Sequence, residues 1–566
     1  MRVRSTAREN RKVLMSERLT LPERIEHAAT LGGTVTFIDG DSHETITWAE
    51  LHHDARVFAA GLQARGVGEG DHVAIMGPTT RDLVTTIQAV WLAGGVLVML
   101  PLPMRMGSLE QFIEQTRDRI RFAKVGTVVL DPQLAEFIEH QPGDPTFLSY
   151  ADLSSESTGQ VADDWKRPTP DPDALAVLQF TSGSTSEPKG VMLAHRQLCA
   201  NIDGCYSAAQ MTLDDTVVSW LPLYHDMGLI GLLTIPMTSG AGLVQGAPQD
   251  FLSKPARWMQ WVSELDGTIT AGPNFSFALA RRALNRAEGL DLSRLRICLN
   301  GAEPIDCEGF REFLDAGARF GMDPNAAFPA FGMAEVCIAG TFPVPGSGLQ
   351  TDVVDGHALE HDHVATPVAP GTDGARELAK LGFAIPGLEF RVVAPDSGEV
   401  LGDRQVGELQ IRGTSLTLGY YERPDATDAL FDGDWLHTGD LAYQVDGQIV
   451  MCGRIKDVII IGGRNIYPQD IEQVVGRIDQ VRTGNVIAFG EEGAHAKQHI
   501  VVVAETRTED PVALRKAIGR SVTEDIGVPP REVVLVAPGT VPKTSSGKLQ
   551  RSACRQMLRS GELVGL

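Results

Sequence analysis

Short apolar runs alternate with segments of helical periodicity over the early part of the chain. They follow one another at residues 35–38, 47–63, 72–76, 80–92, 96–100, 109–122 and 127–130. The second of these segments begins with Thr47-Trp48-Ala49-Glu50, which is the capping-box pattern of a helix N-terminus. Strands that alternate with helices of this length are typical of folds built on parallel sheets. We therefore predict an α/β fold with parallel-rich sheets.

The pattern changes after about residue 411, where the strands shorten and Gly-Asp turns appear. These turns predict a small β-rich subdomain over about residues 383–452. They are Asp432-Gly433-Asp434, Thr438-Gly439-Asp440 and Asp446-Gly447. A third pattern begins near residue 457 and predicts a compact α+β domain. Its elements are expected in the order helix 468–475, strand 485–489, strand 500–504, helix 511–524 and strand 532–536.

Composition and charge exclude several classes of protein. The 566 residues are 43% hydrophobic and 22% charged, which is ordinary for a globular chain. With 50 Lys and Arg against 73 Asp and Glu, the net charge is −23, and this argues against general binding of nucleic acid or anionic membrane. The longest apolar stretch, residues 89–100, contains Gly94 and Gly95 and is too short to cross a bilayer. We expect no nucleic-acid partner and no integral membrane segment.

The cysteines and the N-terminus bear on the cellular compartment. The chain has seven cysteines, and no two of them have the C-x-x-C spacing. An odd number of scattered thiols favours a reducing compartment over a disulfide framework or a zinc ribbon. The basic N-terminus is not followed by the apolar segment of a secretory signal. The sequence therefore predicts a cytoplasmic location.

A loop rich in hydroxyl side chains is the sharpest local feature. Residues 181–190 read Thr-Ser-Gly-Ser-Thr-Ser-Glu-Pro-Lys-Gly and follow an apolar run at 175–180 that predicts a strand. Glycines let backbone N–H groups approach a phosphate, hydroxyls donate hydrogen bonds, and the lysine adds positive charge. The spacing is not that of a Walker A loop. A flexible Ser/Gly linker is the alternative, and the lysine and the preceding strand count against it.

Five further motifs occur downstream of this loop. In order they are Trp220-Leu-Pro-Leu-Tyr-His225-Asp-Met-Gly-Leu, Phe331-Gly-Met-Ala-Glu335, Thr438-Gly-Asp440, Gly453-Arg-Ile-Lys456-Asp and Pro542-Lys-Thr-Ser-Ser-Gly-Lys548-Leu-Gln-Arg551. Together with the loop they resemble the core motifs of the adenylate-forming superfamily over about residues 20–560. The resemblance is closest to the fatty acyl-AMP ligases, because Asn465-Ile-Tyr-Pro-Gln-Asp-Ile-Glu472 and an extra segment at about 350–378 are also typical of that branch.

The resemblance implies an ATP site. The loop residues Thr181, Ser182, Gly183, Ser184, Thr185 and Lys189 would hold the β- and γ-phosphates. Glu335, with help from the Thr185 hydroxyl, would bind Mg²⁺, which prefers hard oxygen ligands; a plain surface carboxylate is the alternative. The turn Gly301-Ala302-Glu303 and the segment Phe331-Gly332-Met333 would surround the adenine and the entrance to the acid site. Asp440 would accept from the ribose hydroxyls, unless its motif is only a tight turn, and Arg454 would add a donor.

The chemistry that the resemblance implies is attack of a carboxylate on the α-phosphate with loss of pyrophosphate. Lys548 would bridge the two anions as charge accumulates in the transition state. His225 would lie at the mouth of the acid pocket, with Met227, Pro273 and Asn274; a histidine satisfied at a helix start is its alternative.

Three histidines of the extra segment, His357, His361 and His363, could suggest a metal cluster. Because they fall in an acidic segment that we expect to be mobile, we favour a solvated loop.

We therefore predict a two-part enzyme. An N-terminal adenylation domain over residues 1–452, with the insertion at 350–378, is followed by a hinge at 453–457 around Lys456 and a C-terminal lid at 458–566. It would convert ATP and a carboxylic acid into acyl-AMP and then acylate the phosphopantetheine thiol of a separate acyl carrier protein. The resemblance implies that the insertion hinders the domain arrangement that coenzyme A needs.

The alternatives are an acyl-CoA ligase and a nucleotide sensor without catalysis. The sensor would require loss of Lys548, Glu335 or the loop, and all three are present.

Overall fold

A computed structural model describes residues 18–102, 109–135, 141–181, 189–462, 464–492, 498–544 and 548–566. Two mainly parallel sheets form the large N-terminal part. The seven-stranded sheet runs, edge to edge, through Ala327–Pro329, Ile297–Asn300, Ile269–Gly272, Thr216–Ser219, Gly242–Gln245, Thr34–Asp39 and Ser42–Thr47. Its neighbours are parallel except for the last pair, which is an antiparallel hairpin.

The second sheet has six strands, and its first four pairings are parallel. Its order is Thr146–Ser149, Thr127–Leu130, His72–Met76, Val96–Met99, Leu175–Thr181 and Lys189–Ala194. The final pair is antiparallel and brings Thr181 opposite Lys189. The predicted α/β class with parallel-rich sheets is therefore confirmed.

Buried helices join the two sheets into one core. The helix Trp48–Ala64 begins at the predicted capping box, where the Thr47 N–H donates to Glu50 and the Glu50 N–H donates to Thr47. In the helix Arg81–Leu92 every side chain from Leu83 onward is buried, as expected for a helix covered on all sides.

The other helices of the large part pack on this core or lie at the surface of the large part. They are Leu21–Ala28, Leu109–Phe122, Pro132–Ala135, Tyr150–Leu153, Ser155–Thr158, His195–Ala208, Met227–Thr234, Ile235–Ser239, Pro248–Ser253, Ala256–Glu264, Asn274–Leu284, Cys307–Ala318, Gly356–His361 and Pro424–Asp428.

An antiparallel five-stranded sheet follows, as the Gly-Asp turns predict. Its strands are Leu388–Val393, Gly407–Gly413, Phe431–Asp432, Trp435–Val445 and Gln448–Arg454. A smaller sheet of Phe331–Gly332, Ala339–Phe342 and Phe383–Ala384 lies before it in the chain. Asp440 and Arg454 face each other across the last two long strands, so the fold itself brings two predicted site residues together.

The insertion is ordered, and the expectation of a mobile, solvated loop is wrong. Thr351–Asp355 pairs with Ala375–Ala379, and the short helix Gly356–His361 follows the first strand. Val354, Leu359 and Ala365 are fully buried against the five-stranded sheet, because the segment carries enough apolar side chains to make its own small core. His357 and His361 stack on each other on this helix. Among the described residues no group of three or more His, Cys, Asp or Glu could hold a metal ion.

The C-terminal domain carries one more helix than the sequence pattern predicts. Its strands are Ile459–Ile461, Arg464–Ile466, Val481–Glu492, Gln498–Thr506 and Glu532–Val536, and its helices are Pro468–Gly476, Pro511–Ile526 and Arg551–Ser560. The last helix was missed because it is rich in arginine and only Cys554 is buried in it. Within the part of the chain that the structure describes, no helix has both the length and the apolar character needed to cross a membrane.

Candidate active site

A deep cleft of about 3530 Å³ lies between the large part and the C-terminal domain. Sixteen residues that the sequence singles out line it: Lys189, His225, Met227, Pro273, Asn274, Gly301, Ala302, Glu303, Phe331, Gly332, Met333, Glu335, Asp440, Arg454, Lys456 and Lys548. Thr181 ends a strand directly opposite Lys189. Ser182, Gly183, Ser184 and Thr185 lie outside the described residues. The cleft is larger than a pocket for one small ligand, so it can hold more than one reactant.

Lys548 reaches into this cleft from the C-terminal domain. Two hydrogen bonds join Lys548 to Thr544. The Lys548 N–H donates to Thr544 Oγ1 at 3.0 Å, and the Thr544 N–H donates to the Lys548 carbonyl at 2.7 Å. Burial lowers the pKa of the ammonium group, while the nearby carboxylates of Asp226 and Glu303 act in the opposite direction. A lysine held among carboxylates in a closed cleft is well placed to meet an incoming anion.

Glu335 is buried and its carboxylate is held by Tyr420. The Tyr420 hydroxyl donates to Glu335 Oε1 at 2.7 Å, and the Lys189 ammonium lies 4.7 Å from the centre of the same tyrosine ring. Burial raises the pKa of Tyr420, and the neighbouring carboxylate adds to that effect, so the phenol stays a donor. Tyr420 was not predicted from the sequence. The Tyr420 side chain therefore contacts both Lys189 of the predicted phosphate loop and the carboxylate that is expected to bind the metal.

The ribose candidate Asp440 forms an ion pair with Arg454, whose Nε donates to Oδ1 at 3.0 Å. Burial raises the pKa of Asp440, and Arg454 opposes this rise. Next to the pair, the Gly439 N–H donates to Glu408, and the other oxygen of Glu408 lies 2.8 Å from His437 Nδ1. Glu408 and His437 also line the cleft, and sequence reasoning missed both. The turn predicted at Thr438-Gly439-Asp440 is wrong, because these residues lie within the strand Trp435–Val445, where Gly439 has φ +69° and the pairing with the neighbouring strand shifts register. Asp440 of this strand lines the cleft.

The turn at residues 301–304 is fixed by Asn274. The Asn274 N–H donates to Glu303 Oε1 at 2.9 Å, and its side-chain amide donates to the Pro304 carbonyl at 2.7 Å. Ala302 has φ +74°, a conformation that costs a non-glycine residue energy and often marks a functional site. Asn274 was predicted to line the acid pocket. The structure shows that most of its hydrogen-bonding capacity is used to hold this turn.

His225 stands at the start of an unusual helix. Met227–Thr234 is wound as a π-helix, a form that occurs mostly at functional sites. His225 Nδ1 lies 2.7 Å from Asp226 Oδ1, and the Met227 N–H donates to the same carboxylate at 2.8 Å. Burial acts to raise the pKa of Asp226, but His225 and Lys548 together lower it to about 2. Asp226 therefore remains an anion between two cleft residues, although the sequence singled out only its neighbours.

Beyond His225 in the chain, two segments line a mainly apolar branch of the cleft. Met227, Gly231 and Leu232 come from the π-helix and Ile235 begins the helix that follows it, while Phe275, Ala278 and Leu279 come from the helix Asn274–Leu284. Two arginines of that helix, Arg281 and Arg282, also line the cleft. The apolar members of this branch can bury an apolar chain.

The connection between the two parts is a single turn, Ile455–Asp457, which follows directly on the last long strand. Lys456 is exposed at its centre. Arg551 of the C-terminal domain donates to Asp457, the last residue of this turn, at 2.9 Å and to Glu472 at 2.6 Å. These bonds attach the end of the turn to the C-terminal domain. Such a short segment can absorb a rotation of one domain against the other.

The insertion touches the C-terminal domain. Arg464 donates to Glu360 at 2.7 Å, and Arg376 donates to Asp470 at 2.8 Å and lies over the ring of Tyr467 at 4.6 Å. Burial raises the pKa of Asp470 to about 6, and Arg376 opposes that rise. The insertion therefore holds the lid through two ion pairs and one ring contact in the arrangement seen here.

Comparison with protein-family models gives two matches. A model described as AMP-binding enzyme matches residues 25–421, and one described as AMP-binding enzyme C-terminal domain matches residues 463–553. The first covers the two sheets and the predicted nucleotide residues from Thr181 to Met333, but not Asp440, and the second covers most of the lid. The cleft lies between the regions that the two models match.

Individual relatives and structures agree with these matches. The chain is 39% identical to a putative ligase of Mycobacterium tuberculosis, over 94% of this chain and 98% of that protein. It is 30% identical to the medium-chain-fatty-acid–[acyl-carrier-protein] ligase JamA of Moorena producens, over 92% of this chain and 90% of that one. Among solved structures, a fatty acyl-adenylate ligase from a study of the E. coli and L. pneumophila enzymes superposes with a TM-score of 0.88 at 29% identity, over 96% and 98% of the two chains.

Proposed function

Because the chain belongs to the AMP-binding enzyme family, we propose that it activates a lipophilic carboxylic acid with ATP and passes the acyl group to a carrier-protein thiol. The observation that carries the proposal is the position of Lys548, which comes from the C-terminal domain and lines the same cleft as Glu335, Asp440 and Arg454 of the large part. An ammonium group in a cleft can stabilise anionic reactants that meet there.

The first reaction forms a bond between a carboxylate oxygen of the acid and the α-phosphorus of ATP. The bond from that phosphorus to the bridging oxygen breaks, and pyrophosphate leaves with the electron pair. Lys548 would lie between the two anions and offset their repulsion, and Asp440 with Arg454 would orient the nucleoside. The mainly apolar branch of the cleft would hold the hydrocarbon chain, which is why we propose a lipophilic acid.

The residues of the cleft also fit a Mg²⁺ ion. Glu335 is a buried carboxylate with one oxygen held by Tyr420, so its second oxygen can serve as the hard ligand that Mg²⁺ prefers. We propose Glu335, with Thr185 from the phosphate loop, as the protein ligands. The bound ion would neutralise charge on the triphosphate.

Glu335→Gln should raise the Mg²⁺ concentration needed for half-maximal activity by about tenfold or more. The amide keeps the shape and can still accept from Tyr420, but it is a poorer ligand for a hard cation. Pyrophosphate release titrated with Mg²⁺ measures this, with Glu264→Gln, an exposed charge removal, as the control. A Mg²⁺ curve that coincides with that of the wild type would remove Glu335 from the metal site.

The acceptor is proposed to be the phosphopantetheine arm of a separate carrier protein. JamA, a relative, is by its name a ligase to acyl-carrier protein. In this chain the insertion is paired with the lid through Glu360–Arg464 and Arg376–Asp470, and these contacts would restrain the lid from turning to a pose that accepts free coenzyme A. Transfer to coenzyme A is the second candidate.

A variant with Glu360→Ala and Arg376→Ala should make acyl-CoA at least about tenfold faster than the wild type, because both ion pairs to the lid are lost. The hairpin strands remain paired in this variant. The matched control is Asp362→Asn, an exposed change in the same insertion. Products are measured by mass spectrometry after incubation with acid, ATP and either coenzyme A or holo carrier protein. Wild-type acyl-CoA synthesis as fast as adenylation would favour the second candidate.

A further inference from the structure

Asp226 and His225 form a close pair in the wall of the cleft. The two polar atoms, Nδ1 and Oδ1, are 2.7 Å apart, and the side chains are only 16% and 14% exposed. The Met227 N–H also lies 3.3 Å from Nδ1, so both polar contacts recorded for the ring within the described residues are made by Nδ1. When Nδ1–H donates to the carboxylate, the lone pair of the ring is on Nε2. The pair therefore has the arrangement of a proton acceptor with an orienting carboxylate.

We propose that His225 accepts the proton of the acceptor thiol in the second half-reaction and that Asp226, 2.7 Å from its Nδ1, positions the ring. The inference rests on the proposed function, since it concerns transfer of the acyl group to a thiol. His225 is the catalytic residue in it, and Asp226 is a positioning residue.

In this step the S–H bond of the acceptor thiol breaks, and its proton goes to Nε2 of His225. The product is an imidazolium paired with the Asp226 carboxylate. The sulfur forms a bond to the carbonyl carbon of acyl-AMP, and the C–O bond to the phosphate breaks. AMP leaves with that electron pair, and the imidazolium later returns its proton to solvent. No oxidant, reductant or further reactant is needed.

Other charged groups surround the pair and enter its pH dependence. Lys548 faces Asp226 from the lid, and Glu303 faces Lys548 from the turn after the strand Ile297–Asn300. Tyr224, next to His225 in the chain, has a pKa raised by burial and stays neutral. Asp440 and Arg454 act on Lys548 from the five-stranded sheet. The pH dependence expected for the transfer step comes from the thiol, because a thiolate needs no base.

Asp226 also caps the π-helix through the Met227 N–H, so a structural role must be separated from the proposed one. The test supplies chemically prepared acyl-AMP and a holo carrier protein and follows one turnover of transfer between pH 6 and 9. Adenylation is bypassed, so changes in the first half-reaction do not contribute. The variants are His225→Ala and Asp226→Asn, and the control is Asp214→Asn, an exposed charge removal.

His225→Ala should slow transfer at pH 7 by about 100-fold or more, which is the usual contribution of a general base. The deficit should shrink as the pH rises toward the pKa of the thiol, because a thiolate needs no base. Added imidazole should restore part of the rate. Asp226→Asn should slow transfer about tenfold, and this deficit should also shrink as the thiolate forms.

A deficit that is the same at every pH, without rescue by imidazole, would overturn the inference and leave Asp226 as a helix cap and His225 as a pocket wall. If the wild type forms acyl-AMP but discharges supplied acyl-AMP to no thiol, the proposed transfer itself fails. The two failures are therefore distinct, because the first appears only in the variants and the second already in the wild type.

Discussion

Lys548→Ala should reduce the rate of acyl-AMP formation by about 10³-fold, or about 4 kcal/mol of transition-state stabilisation. The reason is that Lys548 acts where negative charge accumulates as carboxylate and phosphate meet, so its loss affects the barrier more than binding. Pyrophosphate release and ATP affinity are measured separately. We expect ATP to bind within a few fold of the wild type.

Lys516→Ala is the matched control for this variant, because it removes an exposed lysine from the same domain, far along the chain from the cleft loop. Its rate should match that of the wild type. A Lys548→Ala rate within tenfold of the wild type would show that this lysine does not act on the reacting atoms.

Lys456→Pro should leave acyl-AMP formation within about tenfold of the wild type and slow transfer to the thiol by about 100-fold. Lys456 is the second residue of the turn Ile455–Asp457, where a proline is tolerated in the arrangement seen here. The fixed φ of proline then resists the rotation that the lid needs between the half-reactions. Single-turnover measurements of each half-reaction give the two rates.

Lys456→Ala controls for loss of the side chain, since it leaves the backbone free. It should retain transfer better than the proline variant. Equal losses of both half-reactions in Lys456→Pro, at an unchanged melting temperature, would place the hinge elsewhere.

The strands and helices of the large part follow their sequence pattern because their periodicity is local. The helix that begins after Thr47 is one example, since its cap and its apolar face lie within one short segment. Lys548 could also be singled out from the sequence, because its motif is contiguous. Ser182 to Thr185 of the phosphate loop stay predictions, because they lie outside the described residues.

Contacts between distant segments could not be read from the sequence. Tyr420 and Glu335 are 85 positions apart, and they meet because the segment around Tyr420 pairs with the strand Lys189–Ala194 and bonds to the backbone of Glu335. Asp226 stood inside a noted motif, but its 2.7 Å contact with His225 depends on the local backbone at the start of the π-helix. The insertion was misjudged for a similar reason: its acidic composition suggested a solvated loop, whereas its few apolar side chains pack on residues far along the chain, including Tyr467 of the lid.

The central claim is that a carboxylate of the substrate attacks the α-phosphorus of ATP. The most direct test is to incubate the protein with Mg²⁺, ATP and a panel of fatty acids labelled with ¹⁸O in both carboxyl oxygens, and to analyse the products by mass spectrometry. We predict acyl-AMP that carries both labels and unlabelled pyrophosphate, and then AMP with one label after transfer to holo carrier protein. Unlabelled AMP, or ADP formed together with labelled phosphate, would contradict the account.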